Sequence, residues 1–304
     1  MNYPNISVKI IADSYNPFNN SRVTTYELEY PRYIHAEIMT HRLFSRNAQS
    51  SRAVPVKAAL LHIQNNPVYP IEYGRNKAGM SSVEALNPEE VAQVQTIWKN
   101  AAEDAVGASM SLNDIGLHKQ WANRLTEPFA TIKVIITATE FDNFFWLRID
   151  PDAAQPEIVE LAEQMYSAFK KSQPVILKNN FWHVPYVYWE EVAYKQVFFD
   201  GSGNVISEEV ALKISASCCA QVSYRKLDDS LEKALDIYQK LFSGPKPHNS
   251  PVEHQAKCVK GNVGSYSVWE NGITHIDRFG AWWSNNFKGF IQHRALIEDA
   301  VHLG

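Results

Sequence analysis

The densest group of residues able to do chemistry is the run YIHAEIMTHRLFSRNAQSSR at 33–52. If its first part is helical, Glu37, His41 and Ser45 share one face at i, i+4 and i+8, and Arg42 and Arg46 form a neighbouring cationic ridge. Arg32, Ser50, Ser51 and Arg52 add guanidinium forks and hydroxyls. This set suits a phosphate, because arginine matches phosphate oxygens bidentately and hydroxyls complete the shell. Composition alone fits a solvated basic helix ending in a polar loop equally well. A nucleic-acid contact is disfavoured, since the chain carries 29 Lys and Arg against 33 Asp and Glu and offers no broad basic surface.

Three further groups stand out. In HNSPVEH, residues 248–254, Pro251 after Ser250 opens a helical turn holding Glu253 and His254. His248, Glu253 and His254 are metal-ligand types, but the spacing is not HExxH and no cysteine completes a set, so caps and packing are the better account and no metal is expected. Arg148 sits inside the apolar run of 140–155 and needs a partner when buried, with Asp150 or Asp152 nearest in sequence. Gln292, His293 and Arg294, followed by Glu298 and Asp299, read as the solvated face of an outer helix. The Gly-rich dinucleotide, P-loop, nucleophile-elbow and kinase signatures do not occur.

These groups need a scaffold. With 304 residues, 45% of them hydrophobic and 12% aromatic, the chain has material for a large core, in one large domain or two small ones, and residues 1–304 are expected to form a single domain. Cysteines 218, 219 and 258 form no CxxC pair or disulfide framework, which fits a reducing compartment. The first residues lack the pattern of a secretory leader, and no apolar run is long enough to span a membrane, so a soluble cytoplasmic protein is expected. Strands are expected at 8–12 and 23–30, then helices at 33–44 and 56–64 and a loop over 65–86. Helical periodicity marks a long helix from Pro88, another from about Leu117 with a break near Pro128, and others at 151–171, 207–226 and 227–244. The apolar stretch TIKVIITATEFDNFFWLRI is too long for an ordinary strand and reads as a central buried helix. Gly201 to Gly203 mark a break, a hairpin is expected around Asn271 and Gly272, and strand content reads as low.

THRLFSRNAQSSR resembles the signature of the flavin-dependent thymidylate synthases, RHRxxSxNExSxRY, with His41, Arg42, Ser45, Asn47, Ser50 and Arg52 at matching positions. The strand, proline and helix of YELEYPRYIHAEIMTHR look like the family's approach to that motif. Downstream, Asn143, Arg148, Ala154, Gln155 and Glu157 resemble its core helix and LRxxxxAQxEI element, with one extra residue between arginine and the Ala-Gln pair. CCAQVSYRK at 218–226 and HNSPVEHQA at 248–256 resemble the ARVSY and HxSPFEH elements that precede the signature in the family. Here they follow it, so the chain looks circularly permuted, which is tolerated when the original termini lie close together. The resemblance covers about two-thirds of the chain, and residues 172–205 and 260–304 outside it read as insertions or caps.

The resemblance implies an α+β fold with helices packed on a small antiparallel sheet. It implies FAD as cofactor, NADPH and methylenetetrahydrofolate as co-substrates, and a methyltransferase reaction that converts dUMP to dTMP without a cysteine nucleophile. It also implies a homotetramer with sites between subunits. Carried over by position, His41, Arg42, Ser45, Asn47, Ser223 and His254 would contact flavin, with His41 and Arg42 at the junction with the nucleotide. Glu37, Ser50, Ser51, Arg52 and Arg124 would bind the pyrimidine deoxynucleotide, and Arg148 would polarise its carbonyl. The chain departs from the pattern at Thr40, Ala48 and Ala53, which stand where the family has arginine, glutamate and tyrosine, and Glu37 replaces a glutamine. Arg124 is the nearest counterpart of a second phosphate arginine but is off register, and Arg32, Arg46 and Arg294 are candidates to replace the missing fork. The altered shell leaves open a related product, such as hydroxymethylated dUMP or dCMP, or a nucleotide-binding protein without catalysis.

Overall fold

The computed structural model describes residues 5–79, 82, 84–223, 230–244, 248–261 and 269–297. Two long strands, β1 (Ser7–Asn16) and β2 (Ser21–Pro31), form an antiparallel hairpin. A short 3-10 turn leads into α1 (His35–Ile38), and the chain re-enters the sheet as β3 (Ser45–Ala48). Helices α2 (Val56–Asn65), α3 (Pro88–Asp114) and α4 (Lys119–Ala122) follow, then β4 (Thr131–Ala138), α5 (Asp142–Arg148) and α6 (Pro156–Lys171). The strand β5 (Val175–Ile176) completes a sheet of order β3-β4-β2-β1-β5, antiparallel except for the β1–β5 pair.

Beyond it, β6 (Trp182–His183), a meander of β7 (Tyr188–Val192), β8 (Lys195–Phe199) and β9 (Val205–Ile206), and helices α7 (Glu208–Ala220) and α8 (Leu231–Phe242) build a second layer. The tail adds β10 (Ala256–Cys258), β11 (His275–Ile276), β12 (Trp282–Ser284), β13 (Phe287–Lys288) and β14 (Phe290–Gln292).

The two faces of the main sheet differ in kind. Tyr26, Leu28 and Tyr30 of β2 pair across with Ile136, Val134 and Ile132 of β4, and all six pack against Phe144, Leu161 and Met165 from α5 and α6. Burial of such side chains contributes about 1.5–3 kcal/mol each. The alternate residues Thr25, Thr137, Ser45 and Asn47 point to the other face, under the tail and α7.

Several expectations are corrected. The helix expected over 33–44 ends at Ile38, because Arg46 Nη1 donates to the carbonyls of Ile38, Met39 and His41 and so satisfies the groups a longer helix would use. Arg46 is therefore a clasp for this turn, not half of a cationic ridge, and Ser45 lies on a strand instead of one helix turn beyond His41. The central apolar run is a strand followed by a helix. β-Branched Thr131, Ile132, Val134, Ile135, Ile136 and Thr137 favour β4, and both its faces are covered, which removes the alternation that reveals a strand. Residues 290–292 are a buried strand, not an outer helix. Fourteen strands occur among the described residues, many of two or three residues held by partners distant in sequence, so strand content is not low.

Gly201 to Gly203 form the β8–β9 turn. Gly272 does sit in a turn at φ +94°, but the hairpin found pairs His275–Ile276 with Trp282–Ser284 about Asp277 to Gly280; the first strand expected there, and the end of the helix expected over 207–226, lie outside the described residues.

The tail is pinned to the β1–β2 turn at Gly289, whose carbonyl accepts from Asn16 and Asn19 Nδ2. Gly289 is at φ +71°, and a Cβ there would collide with Ser21. Gly289→Ala is expected to cost about 1–3 kcal/mol from backbone conformation alone. A drop in the denaturant midpoint checks this, and an unchanged midpoint would contradict the tight docking.

Candidate active site

Arg148 ends α5 and reaches back over the turn that follows α1. Its Nη1 lies 3.2 Å from Glu37 Oε2, its Nε donates to His41 Nε2 at 3.1 Å, and Nη2 faces Thr40 Oγ1 at 3.4 Å. Its partner is Glu37, not Asp150 or Asp152; the Asp150 carboxylate instead accepts from the Asp152 amide. The loop after α5 turns Asp150 into a local cap, whereas the end of the helix aims Arg148 at the neighbouring segment.

A guanidinium can only donate, so His41 Nε2 accepts and the ring is neutral with its proton on Nδ1. Burial, then the charges of Arg148 and Arg46, push its pKa down to about 4. Phe144 meets the His41 ring edge-on at 4.9 Å, and Phe44 stacks at 5.6 Å. The result is a fixed cation beside a carboxylate, a donor and an acceptor side by side. Exposed Met39, Leu43 and Trp146 lie on the same segments.

A second group lies in a cleft of about 390 Å³ between α2, the 3-10 segment Asn123–Phe129 and the sheet. Ser51, Gln49 and Arg32 line it, and Arg32 pairs with Glu127 at 3.1 Å. Arg124 sits on the outer side of that carboxylate at 2.9 Å and does not line the cleft. Asn123 Nδ2 donates to the Ser51 and Val54 carbonyls, while Asn123 Oδ1 and Ser51 Oγ are buried without a hydrogen-bond partner among the described residues. Ser50 Oγ accepts from the Arg52 amide. The side chains of Arg42 and Arg52 are exposed and have no ion pair among the described residues, unlike Arg32, Arg46 and Arg294, which are engaged with Glu127, main-chain carbonyls and Glu253.

The third group joins the tail to the signature strand. Gln292 Nε2 donates to Ser45 Oγ at 3.0 Å and to the Glu253 carbonyl at 3.1 Å, and Asn286 Nδ2 donates to the Leu43 carbonyl at 2.9 Å. Asn47 Nδ2 donates to the Cys219 carbonyl at 3.1 Å. His254 Nδ1 is 2.8 Å from Thr137 Oγ1, which is 2.7 Å from Thr25 Oγ1, which is 2.8 Å from His183 Nε2; His183 Nδ1 is 2.9 Å from Ser14 Oγ. Ser223 closes the 3-10 turn Gln221–Ser223, and the rest of its motif lies outside the described residues.

Gln292, expected on a solvated face, is buried, and Asn286, Thr25, Thr137 and His183 belong to no motif that points to function. Only the alternation of polar with apolar residues along β2, from Thr25 to Tyr30, hinted at a polar second face. Among the described residues no group of three or more His, Cys, Asp or Glu could hold a metal, and no helix is long and apolar enough to cross a membrane.

Residues 11–175, more than half of the chain and including the whole signature, match the model of the family described as thymidylate synthase complementing protein. The chain belongs to this family, the flavin-dependent thymidylate synthases, and its α+β fold is related to theirs. Among solved structures it is similar to PolB, a UMP/dUMP methylase from Streptomyces cacaoi, bound with 5-Br UMP: 20% identity, TM-score 0.45, 56% of this chain and 90% of that one. The same protein bound with 5-Br dUMP gives 19% identity, TM-score 0.43 and coverage of 56% and 91%. No curated protein matches the chain in sequence.

Two outcomes follow from the protonation states. Arg148→Met is expected to raise the His41 pKa from about 4, because a neighbouring positive charge is lost; an NMR titration of the imidazole checks the direction. Burial holds His183 near 4 and His254 near 3, so both are neutral when folded and take up protons on unfolding below about 6.5. Stability is therefore full above pH 6.5 and falls as pH drops towards those values, by up to ~1.4 kcal/mol per pH unit for each imidazole. Urea midpoints between pH 7 and pH 5 test this, and a flat profile would contradict neutral burial.

Proposed function

We propose that the chain is an FAD-dependent methyltransferase that moves a one-carbon unit from methylenetetrahydrofolate to C5 of dUMP, giving dTMP, with NADPH as reductant. The observation that carries this is the fixed Arg148–Glu37 pair beside neutral His41. A donor next to an acceptor complements the amide edge of a pyrimidine, and a preorganised guanidinium stabilises charge that builds on a ring carbonyl as the ring is attacked. Arg42 and Arg52, exposed and without ion pairs among the described residues, suit the anionic groups of nucleotide and cofactor. The residues present fit a flavin, because His254 Nε2, in the segment that resembles a flavin-contacting motif, is buried with no hydrogen-bond partner among the described residues. Arg42, His41 and His254 would hold it, and when bound it supplies the hydride that reduces the transferred carbon.

Cys218, Cys219 and Cys258 are buried, and burial pushes the Cys219 thiol well up and that of Cys258 to about 12, which leaves neither of these two as a thiolate nucleophile. Circular permutation is supported by the bonds from Thr137 to His254 and from Asn47 to Cys219, which bring the two later segments against β4 and the signature strand β3. A homotetramer with sites between subunits is supported by exposed Met39, Leu43 and Trp146 on the segments that carry Glu37, His41 and Arg148. A second product, hydroxymethylated dUMP or dCMP, is favoured by Glu37, an acceptor in place of an amide, and by Thr40 beside Arg148.

Protein supplied with FAD, NADPH and methylenetetrahydrofolate is expected to convert dUMP to a product heavier by one CH2, a methyl in place of the C5 hydrogen. A hydroxymethyl product, or turnover of dCMP alone, selects the second reaction, and absence of bound flavin and of turnover rejects both. Arg148→Ala is expected to lower turnover about 10²–10³-fold with the protein still folded.

A further inference from the structure

The line Ser14–His183–Thr25–Thr137–His254 crosses the molecule from β1 to the tail, and every member is at most 5% exposed. His183 lies outside both the family match and the segments that resemble the family, yet its two ring nitrogens bridge two strands of the matched region. The line has three hydroxyls and two imidazoles joined by four hydrogen bonds. With both rings neutral, each member carries one mobile proton, one more than the bonds can use.

Two proton orders satisfy all four contacts. In the forward order Ser14 O–H donates to His183 Nδ1, His183 Nε2–H to Thr25, Thr25 to Thr137, and Thr137 to His254 Nδ1. The spare proton then sits on His254 Nε2, the atom that has no partner among the described residues. In the reverse order every donation is inverted; the spare proton is on Ser14 Oγ, where no acceptor occurs among the described residues, and His254 Nε2 is a bare lone pair. The reverse order strands two buried polar groups and the forward order strands one, so the forward order is the stable one.

We propose that Ser14, His183, Thr25 and Thr137 form a proton-ordered relay that fixes His254 as an Nε2–H donor for a hydrogen-bond acceptor on the bound flavin. The choice of flavin rests on the function proposed above; the proton order does not. These four are positioning residues, acting through His254. The low pKa values of His183, about 4, and His254, about 3, keep both rings in the neutral state that the count requires.

The test uses the full chain with ¹⁵N-labelled histidine, reading the tautomer of each ring by NMR at neutral pH without ligand. Wild type is expected to carry the His254 proton on Nε2. Ser14→Ala removes the first donor and makes the two orders equal in stranded groups, so both His254 tautomers are expected in comparable amounts. Ser14→Thr restores the hydroxyl and is expected to return the wild-type tautomer, which a purely packing role would not do. A wild-type proton on Nδ1, or identical tautomers in wild type and Ser14→Ala, overturns the relay. FAD is then added to the wild type: a shift of the His254 Nε2–H signal supports donation to flavin. Bound flavin, seen by its visible absorbance, without such a shift overturns that donation, whereas failure to bind flavin at all is a failure of the proposed function and leaves the measured proton order intact.

Discussion

The antiparallel pairing of β2 with β4 sets the position of every candidate group. It places Tyr26 opposite Ile136 and Thr25 opposite Thr137. Because side chains alternate across a sheet, a slip of one residue would carry the tyrosine–isoleucine face to the polar side and the threonines into the apolar core. Burial of the apolar face against α5 and α6 therefore fixes the register, and the register in turn lines up the hydroxyls that His183 and His254 need. Core packing and the polar chemistry are two sides of one ladder.

The same packing brings Arg148 to the signature. Helix α5 is anchored by Phe144 and Phe145, and its last residue projects over the turn holding Glu37, Thr40 and His41. A guanidinium whose side chain is only 13% exposed must be paired, and here it has one carboxylate and two neutral acceptors. A neutral His41 follows, because a second positive charge against Arg148 would be repelled as well as desolvated. The local charge pattern is thus set by contacts between segments more than a hundred residues apart in the chain.

The later part of the chain is integral to this arrangement. Gln292 and Asn286 hold Ser45 and the Leu43 carbonyl, Asn47 holds the end of α7, and Asn16 and Asn19 hold Gly289. These are side-chain amides meeting main-chain carbonyls or hydroxyls, directional bonds that fix orientation as well as proximity. The tail thereby closes the polar face of a sheet whose other face is closed by helices.

Much was legible in the chain as a string. The long amphipathic helices α3, α6 and α8 announce themselves by period, and α3 adds a capping box in which Asn87 and Glu90 satisfy each other's amides. The signature residues, the Arg148 element and the His254 segment were also legible, because residue type and short spacing are local properties. What tertiary structure alone decided was who pairs with whom. β4 hid as a helix because burial on both faces erased its alternation; α1 stopped short because Arg46, folding back from β3, took its carbonyls; Arg148 chose Glu37 over the nearer Asp150. The Ser14 to His254 line was invisible for the same reason: its members come from five separate segments, and only the sheet register makes them neighbours.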